Sequence, residues 1–315
     1  MRLRRRLLPT FAALFAVVSL ASANPIRKGA VEVELVSATA SVQPGQPFTV
    51  ALRMQHDEHW HSYWTAPGTG YVTALTWTLP PGFKAGDIQW PTPHTVRDTS
   101  GKITGNGFEG ENFLRVEITP PADLAAGTSI TLKATAEWLM CKSVCMPGDA
   151  EVDLTLPVKS EPPAPDAQWA DKISATRLKL PVTSTEWTAT ATTTDKIVTL
   201  RLTSKSPNAH QPTELRFFAE DGYVDYAQPQ TVRAEAGGYV IEMPLDAAAD
   251  KKTTHLVGVL ASANGWAAGS AYRGWRFDIP FADAASGSGS QLLAAPKPGV
   301  GGLALSSQQI GRAHV

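Results

Sequence analysis

Cysteine is nearly absent from this chain. Two occur in 315 residues, Cys141 and Cys145. That excludes a scaffold held by many bridges and leaves one local disulfide or one dithiol that cycles. Basic patches are also missing. No stripe of Lys and Arg exists to neutralise phosphates, which excludes nucleic acid as a partner. Long apolar runs are scarce, and the one at residues 7–20 is shorter than a membrane span requires. Neither half alternates strand with helix, which excludes a parallel α/β fold and with it a thioredoxin-like fold in this chain. The second half carries Ser, His and Asp but no nucleophile motif.

What is present begins with an export signal. Arg2, Arg4, Arg5 and Arg6 precede the apolar run, and Ala21-Ser22-Ala23 has the small-x-small cleavage pattern, so residues 1–23 read as a signal peptide. Cleavage moves the formal charge from −1 to about −5, a mildly acidic protein. Export implies an oxidising compartment, where a disulfide persists. The other end, residues 283–315, reads as a flexible tail. It opens on Ser286-Gly287-Ser288-Gly289-Ser290, and its last six residues resemble the translation of a sequencing adapter. The gene is expected to run on from there.

The remaining residues suffice for two domains. The Pro-rich segment 159–166 divides them, with a first domain at 24–158 and a second at 167–282. Both halves alternate with period two. Val31, Val33 and Leu35 are separated by glutamates, and Leu132, Ala134, Ala136 and Trp138 line one face of a longer run. Residues 197–202, 238–243, 255–261 and 272–279 behave alike in the second half. Turn signals such as Pro81-Gly82 and Gly237-Gly238 separate the runs. The fold class is all-β, two immunoglobulin-like sandwiches in tandem, with one short helix near residues 166–178.

The cysteines sit between the run 129–140 and the run 151–156, at the tip of a hairpin-like connection, with Pro147 and Gly148 expected to interrupt pairing. A disulfide needs Cα atoms within about 7 Å, whereas four extended steps span roughly 13 Å, so the chain must turn between them. So short a bridge contributes only about 2 kcal/mol to stability. It makes a weak staple and a suitable redox switch. The charge of Lys142 can lower a neighbouring thiol pKa and those of Glu137 and Asp149 can raise it, a balance the sequence leaves open. Two thiolates with His56, His59 or His61 offer a rival metal site, His59 and His61 sharing one strand face. Such histidines more often serve structure, and no metal or other cofactor is assigned. Trp60, Trp64, Trp77, Trp90 and Trp138 read as core rather than as a sugar platform.

A series of motifs occurs in one order: Trp60-His61-Ser62-Tyr63-Trp64, Ala66-Pro67-Gly68, residues 75–82, residues 88–93, Gly107-Phe108-Glu109-Gly110, and Trp138 through Pro147. The series resembles the periplasmic N-terminal region of the DsbD family of thiol:disulfide interchange proteins, especially its ScsB-like branch. The resemblance implies an immunoglobulin-like domain in the periplasm. It receives electrons from a multi-helix inner-membrane domain, often through a thioredoxin-like domain, neither of which is in this chain. It then reduces oxidised thioredoxin-fold proteins, including those of cytochrome maturation, or peroxiredoxins. It implies Cys145, followed by Met146-Pro147, as the nucleophile and Cys141 as the resolving thiol. Family members place more than three residues between their cysteines, so the loop here departs from the pattern. They also cover the pair with an aromatic residue in a loop. Here residues 99–111 are the expected cover, with Phe108 as shield and Asn106 and Pro147 beside it in shielding or docking. The alternative is a non-catalytic binding or chaperone-like module with a structural disulfide.

Overall fold

Period-two alternation becomes strand throughout residues 24–282, the part of the chain that this computed structural model describes. The expected signal peptide and tail lie outside the described residues. The first half contains β1 (Ile26–Lys28), β2 (Val31–Ser37), β3 (Phe48–His56), β4 (His61–Gly68), β5 (Ala74–Thr78), β6 (Lys84–Ala85), β7 (His94–Arg97), β8 (Ile103–Glu109), β9 (Glu111–Thr119), β10 (Ser129–Cys141) and β11 (Cys145–Pro157). A single helix, α1 (Ala170–Arg177), follows. The second half contains β12 (Trp187–Thr193), β13 (Ile197–Ser204), β14 (Arg216–Ala219), β15 (Thr231–Glu235), β16 (Gly238–Pro244), β17 (His255–Ala261) and β18 (Gly274–Pro280).

These strands make two sandwiches of immunoglobulin type. In the first, a sheet ordered β1-β2-β3-β9-β6 faces one ordered β11-β10-β4-β8-β7, with β5 pairing along β10. In the second, β12-β13-β16-β15 faces β14-β17-β18. Every strand pair in these sheets is antiparallel, so short turns suffice as connections. Gly82 and Gly237 take positive φ (81° and 78°) where turns need it. Val31, Val33, Leu52, Leu132, Trp138 and Leu154 are fully enclosed between the first two sheets. Burying a side chain of this size stabilises by about 1.5–3 kcal/mol. Trp64 and Trp138 belong to that core, and Trp60, Trp77 and Trp90 pack on it half-buried.

The structure departs from the sequence reading at the domain junction. Segment 159–166 does not stand free. Ala40 N–H donates to Ala164, Asp166 N–H to Ala38 and Lys159 N–H to Val42, so the connector lies along the first sandwich. The helix, read as part of the second domain, packs on the first, where Ile173 joins Val36, Ala51 and Phe113. Arg53 reaches Glu32 at 2.9 Å and Glu111 at 2.8 Å, with its guanidinium over Trp169. The outward face of β2 is therefore closed by an ion network rather than open to water. The two sandwiches also touch. Phe218 and Val259 of the second join the core of the first, and Trp64 meets Phe218 edge to face.

Candidate functional site

The long hairpin builds the site. Strands β10 and β11 pair without a break from Ser129↔Pro157 to Cys141↔Cys145. The expected interruption at Pro147 does not occur. Strand β11 is the sheet edge, and there a proline can turn its missing N–H outward without losing a ladder bond. Gly148 also pairs, because a Cβ there would stand 2.5 Å from the Trp138 ring. Lys142, Ser143 and Val144 make the turn. The cysteine Cα atoms lie 4.1 Å apart, and the two sulfurs are bonded. Pro147 is exposed on β11 beside the pair.

The two cysteines are unequal. Even-numbered residues of β10, such as Trp138 and Met140, face the core. Cys141 is odd-numbered and lies on the outer face, yet it is only 2% exposed. Tyr63, Val96 and Leu139 close over it as a separate small cluster. Cys145, one strand further out, is exposed. Cys145 is thus the member of the pair that faces solvent.

Tyr63 owes its place to β4. His61 stands opposite Cys141 in the ladder and opposite Glu109 on the other side. Two residues on, Tyr63 lies on the same outer face, fully buried. Glycines make room for its ring, since a Cβ on Gly70 would come within 2.4 Å of it. The Tyr63 hydroxyl lies 4.0 Å from Cys145 Sγ and 3.4 Å from His61 Nε2. Thr104 Oγ1 is also 3.4 Å from that nitrogen. Burial pushes the Tyr63 pKa up, so the phenol keeps its proton. Burial lowers that of His61 to about 4, so the imidazole is neutral near pH 7.

The remaining candidates go elsewhere. Phe108 is buried in the main core, stacked on Trp90 and edge-on to His94, on the opposite face of the sheet from Tyr63. Asn106 is buried too and donates to the Ala66 carbonyl at 3.1 Å. It lines a cleft of about 560 Å³ between the sandwiches, beside Pro67, Gly68 and Phe218. Beside that cleft the ladder of β4 with β8 shifts register between Tyr63 and Gly68. Residues 99–111 are not a covering loop: β8 occupies most of them, paired to β4 and β7. Their glycines serve close strand contact instead. A Cβ on Gly107 would strike the Ser62 carbonyl at 2.0 Å.

The histidines are separated as well. His59 is exposed in the turn before β4, with φ 66°, so it does not share a strand face with buried His61. His56 Nδ1 donates to the Gly110 carbonyl at 2.8 Å, and its Nε2 accepts from Ser62 Oγ at 2.9 Å. That pair has the shape of a base and a nucleophile, but Ser62 is 1% exposed and no substrate can reach it. Among the described residues, no three His, Cys, Asp or Glu side chains group as metal ligands. The Lys142 ammonium donates to the Glu58 carbonyl at 3.3 Å.

Sequence reasoning missed Tyr63, Val96 and Thr104. Alternation within His61-Ser62-Tyr63-Trp64 does set Tyr63 opposite Trp64, which is the one local signal. Its nearness to Cys145 depends on a ladder between distant segments.

Comparison with known proteins agrees with this geometry. Residues 30–157 match the family described as thiol:disulfide interchange protein DsbD, N-terminal. The crystal structure of the N-terminal periplasmic domain of ScsB from Proteus mirabilis matches with a TM-score of 0.58 at 21% identity, over 81% of this chain and 95% of that one. At that identity the likeness is one of fold. No curated protein matches the chain. The hairpin with its paired cysteines thus lies within the segment, residues 30–157, that matches the DsbD N-terminal family of thiol:disulfide interchange proteins.

Proposed function

We propose that Cys141 and Cys145 cycle between disulfide and dithiol, and that the protein passes electrons to oxidised thioredoxin-fold partners in the periplasm. The reading rests above all on the unequal burial of the two cysteines. Exchange needs one accessible sulfur to meet a partner and one sheltered sulfur to finish the reaction. In the forward step the Cys145 thiolate attacks one sulfur of the partner disulfide. A Cys145–partner bond forms, the partner S–S bond breaks, and its electron pair leaves on the other partner sulfur. Cys141 then loses its proton to solvent and attacks Cys145 Sγ. The Cys141–Cys145 bond re-forms and the partner departs as a dithiol carrying two electrons. A membrane-domain dithiol reduces the pair again by the same steps in reverse.

Titration in a glutathione redox buffer, read by thiol labelling, tests the cycle. The expected result is a single two-electron transition, and transfer of both electrons to an oxidised thioredoxin-fold protein. A disulfide that resists every buffer ratio would leave the rival reading, a binding module with a structural bridge.

A further inference from the structure

We propose that Tyr63 is the hydrogen-bond donor that activates Cys145: its phenol donates to the Cys145 thiolate once the pair is reduced. This rests on the exchange reaction proposed above and specifies how its nucleophile is prepared.

Three observations carry it. The Tyr63 hydroxyl is already 4.0 Å from Cys145 Sγ in the oxidised state, at the edge of hydrogen-bond reach for sulfur. Breaking the S–S bond frees the Cys145 side chain to rotate and shorten that contact. Next, the phenol is held from behind. His61 Nε2 lies 3.4 Å from it. With its proton on Nε2, the neutral imidazole donates to the phenol oxygen and the phenol hydrogen can turn to sulfur, the Thr69 and Thr104 hydroxyls being the other partners beside it. Such a chain polarises along its length. Finally, the ring cannot leave easily. It is fully buried, and Gly70 and Gly105 press against it closely enough that a Cβ on either would clash.

Competing charges are few. Lys142 is the cation of the turn, and its ammonium is taken by the Glu58 carbonyl. Glu109 sits opposite His61 in the ladder, and Glu137 pairs with Asp149 further down the hairpin. Those carboxylates oppose a thiolate. Lys142 keeps its charge there and also favours one, and the phenol adds a hydrogen bond at the sulfur itself.

The consequence has a sign that depends on pH. An unperturbed thiol has a pKa near 8.5. A donor that lowers it by about one unit raises the thiolate fraction at pH 7 nearly tenfold. Each thiolate then becomes about threefold less nucleophilic, because reactivity falls with basicity. The net gain at pH 7 is about threefold, and above pH 10 the donor slows attack by about the same factor.

The test uses the Cys141→Ser protein, in which Cys145 is the one thiol. Iodoacetamide alkylation is followed from pH 5 to 11, with thiolate absorbance at 240 nm as the direct titration. Adding Tyr63→Phe keeps the ring and removes the donor. The expected result is a Cys145 pKa raised by about one unit, with slower alkylation at pH 7 and faster alkylation above pH 10. Lys142→Gln should move the midpoint less. Near-UV circular dichroism confirms that the packing is kept, and should Tyr63→Phe disturb it, 3,5-difluorotyrosine at position 63 serves instead. That more acidic phenol should lower the thiolate pKa. Superimposable profiles with and without the hydroxyl would overturn the proposal. Because alkylation needs no protein partner, such a result would leave the exchange reaction itself standing. Failure to exchange with an oxidised partner, despite a shifted pKa, would remove the function and leave the donor.

Discussion

The two sandwiches share an architecture and differ in what they bury. The first encloses Glu34, His56 and His61 beside its apolar core. The second encloses Trp187, Phe217, Trp266 and Trp275, and among the described residues no buried Glu, Asp, His, Lys or Arg. The first also sends out a hairpin of two 13-residue strands, while the longest strand of the second has eight. A sandwich core needs only apolar residues at period two. Buried ionisable groups cost stability and are kept where they position something. Here His61 lies on β4 itself and His56 bonds Ser62 of β4, the strand that carries the cover of the cysteine pair. The difference fits the proposed exchange in the first sandwich, which the second touches where Phe218 meets Trp64 edge to face.

Substitutions can break that division. Cys145→Ser should abolish disulfide exchange, yet cost no more than about 2 kcal/mol of stability, the worth of so short a loop closure. Insulin reduction and urea unfolding measure the two effects. Trp187→Ala should do the reverse. It should cost about 3–5 kcal/mol through the cavity left in the second core, with exchange unchanged while the protein remains folded. A loss of exchange without unfolding would show that the second sandwich takes part in the chemistry.

Acid should separate the sandwiches next. Burial lowers the pKa of both His56 and His61 to about 4 in the folded state. The unfolded chain binds their protons near pH 6.5, so it gains protons first as pH falls. Their contribution is complete above pH 6.5 and is lost between there and pH 4, about 3 kcal/mol for each fully buried ring. Hydrogen exchange should find β3, β4 and β10 losing protection across that window, with β13 and β17 unaffected. Equal loss in both sandwiches would contradict the assignment. The smallest effect concerns the cover. Gly70→Ala places a Cβ against the Tyr63 ring. It should speed oxidation of the reduced pair by small disulfides several-fold, and an unchanged rate would remove Tyr63 as a shield.

Local pattern carried most of the fold into view. Alternation located β2, β10, β13, β16 and β17, and the spacing of the cysteines required the turn that brings their Cα atoms to 4.1 Å. What escaped was nonlocal. Residues 99–111 look like a loop because glycines lack strand propensity, but Gly105 and Gly107 are there so that β8 can approach β4 closely. Pro147 suggests a break because a proline interrupts a central strand, and edge position cannot be read from the residue itself. The helix was legible as a helix, but its docking on Phe113 rather than on the following strands was not. Tyr63 was overlooked for the same reason. Its partner Cys145 is far away in sequence, and only the Cys141–His61 register brings them together.

The most direct measurement compares two single-cysteine proteins, Cys141→Ser and Cys145→Ser. Each is mixed in reduced form with an oxidised thioredoxin-fold protein, and mixed disulfides are mapped by mass spectrometry. The account predicts a stable adduct through Cys145 in the first protein and little or none through the sheltered Cys141 in the second. Equal adducts from both, or none from either, would contradict it.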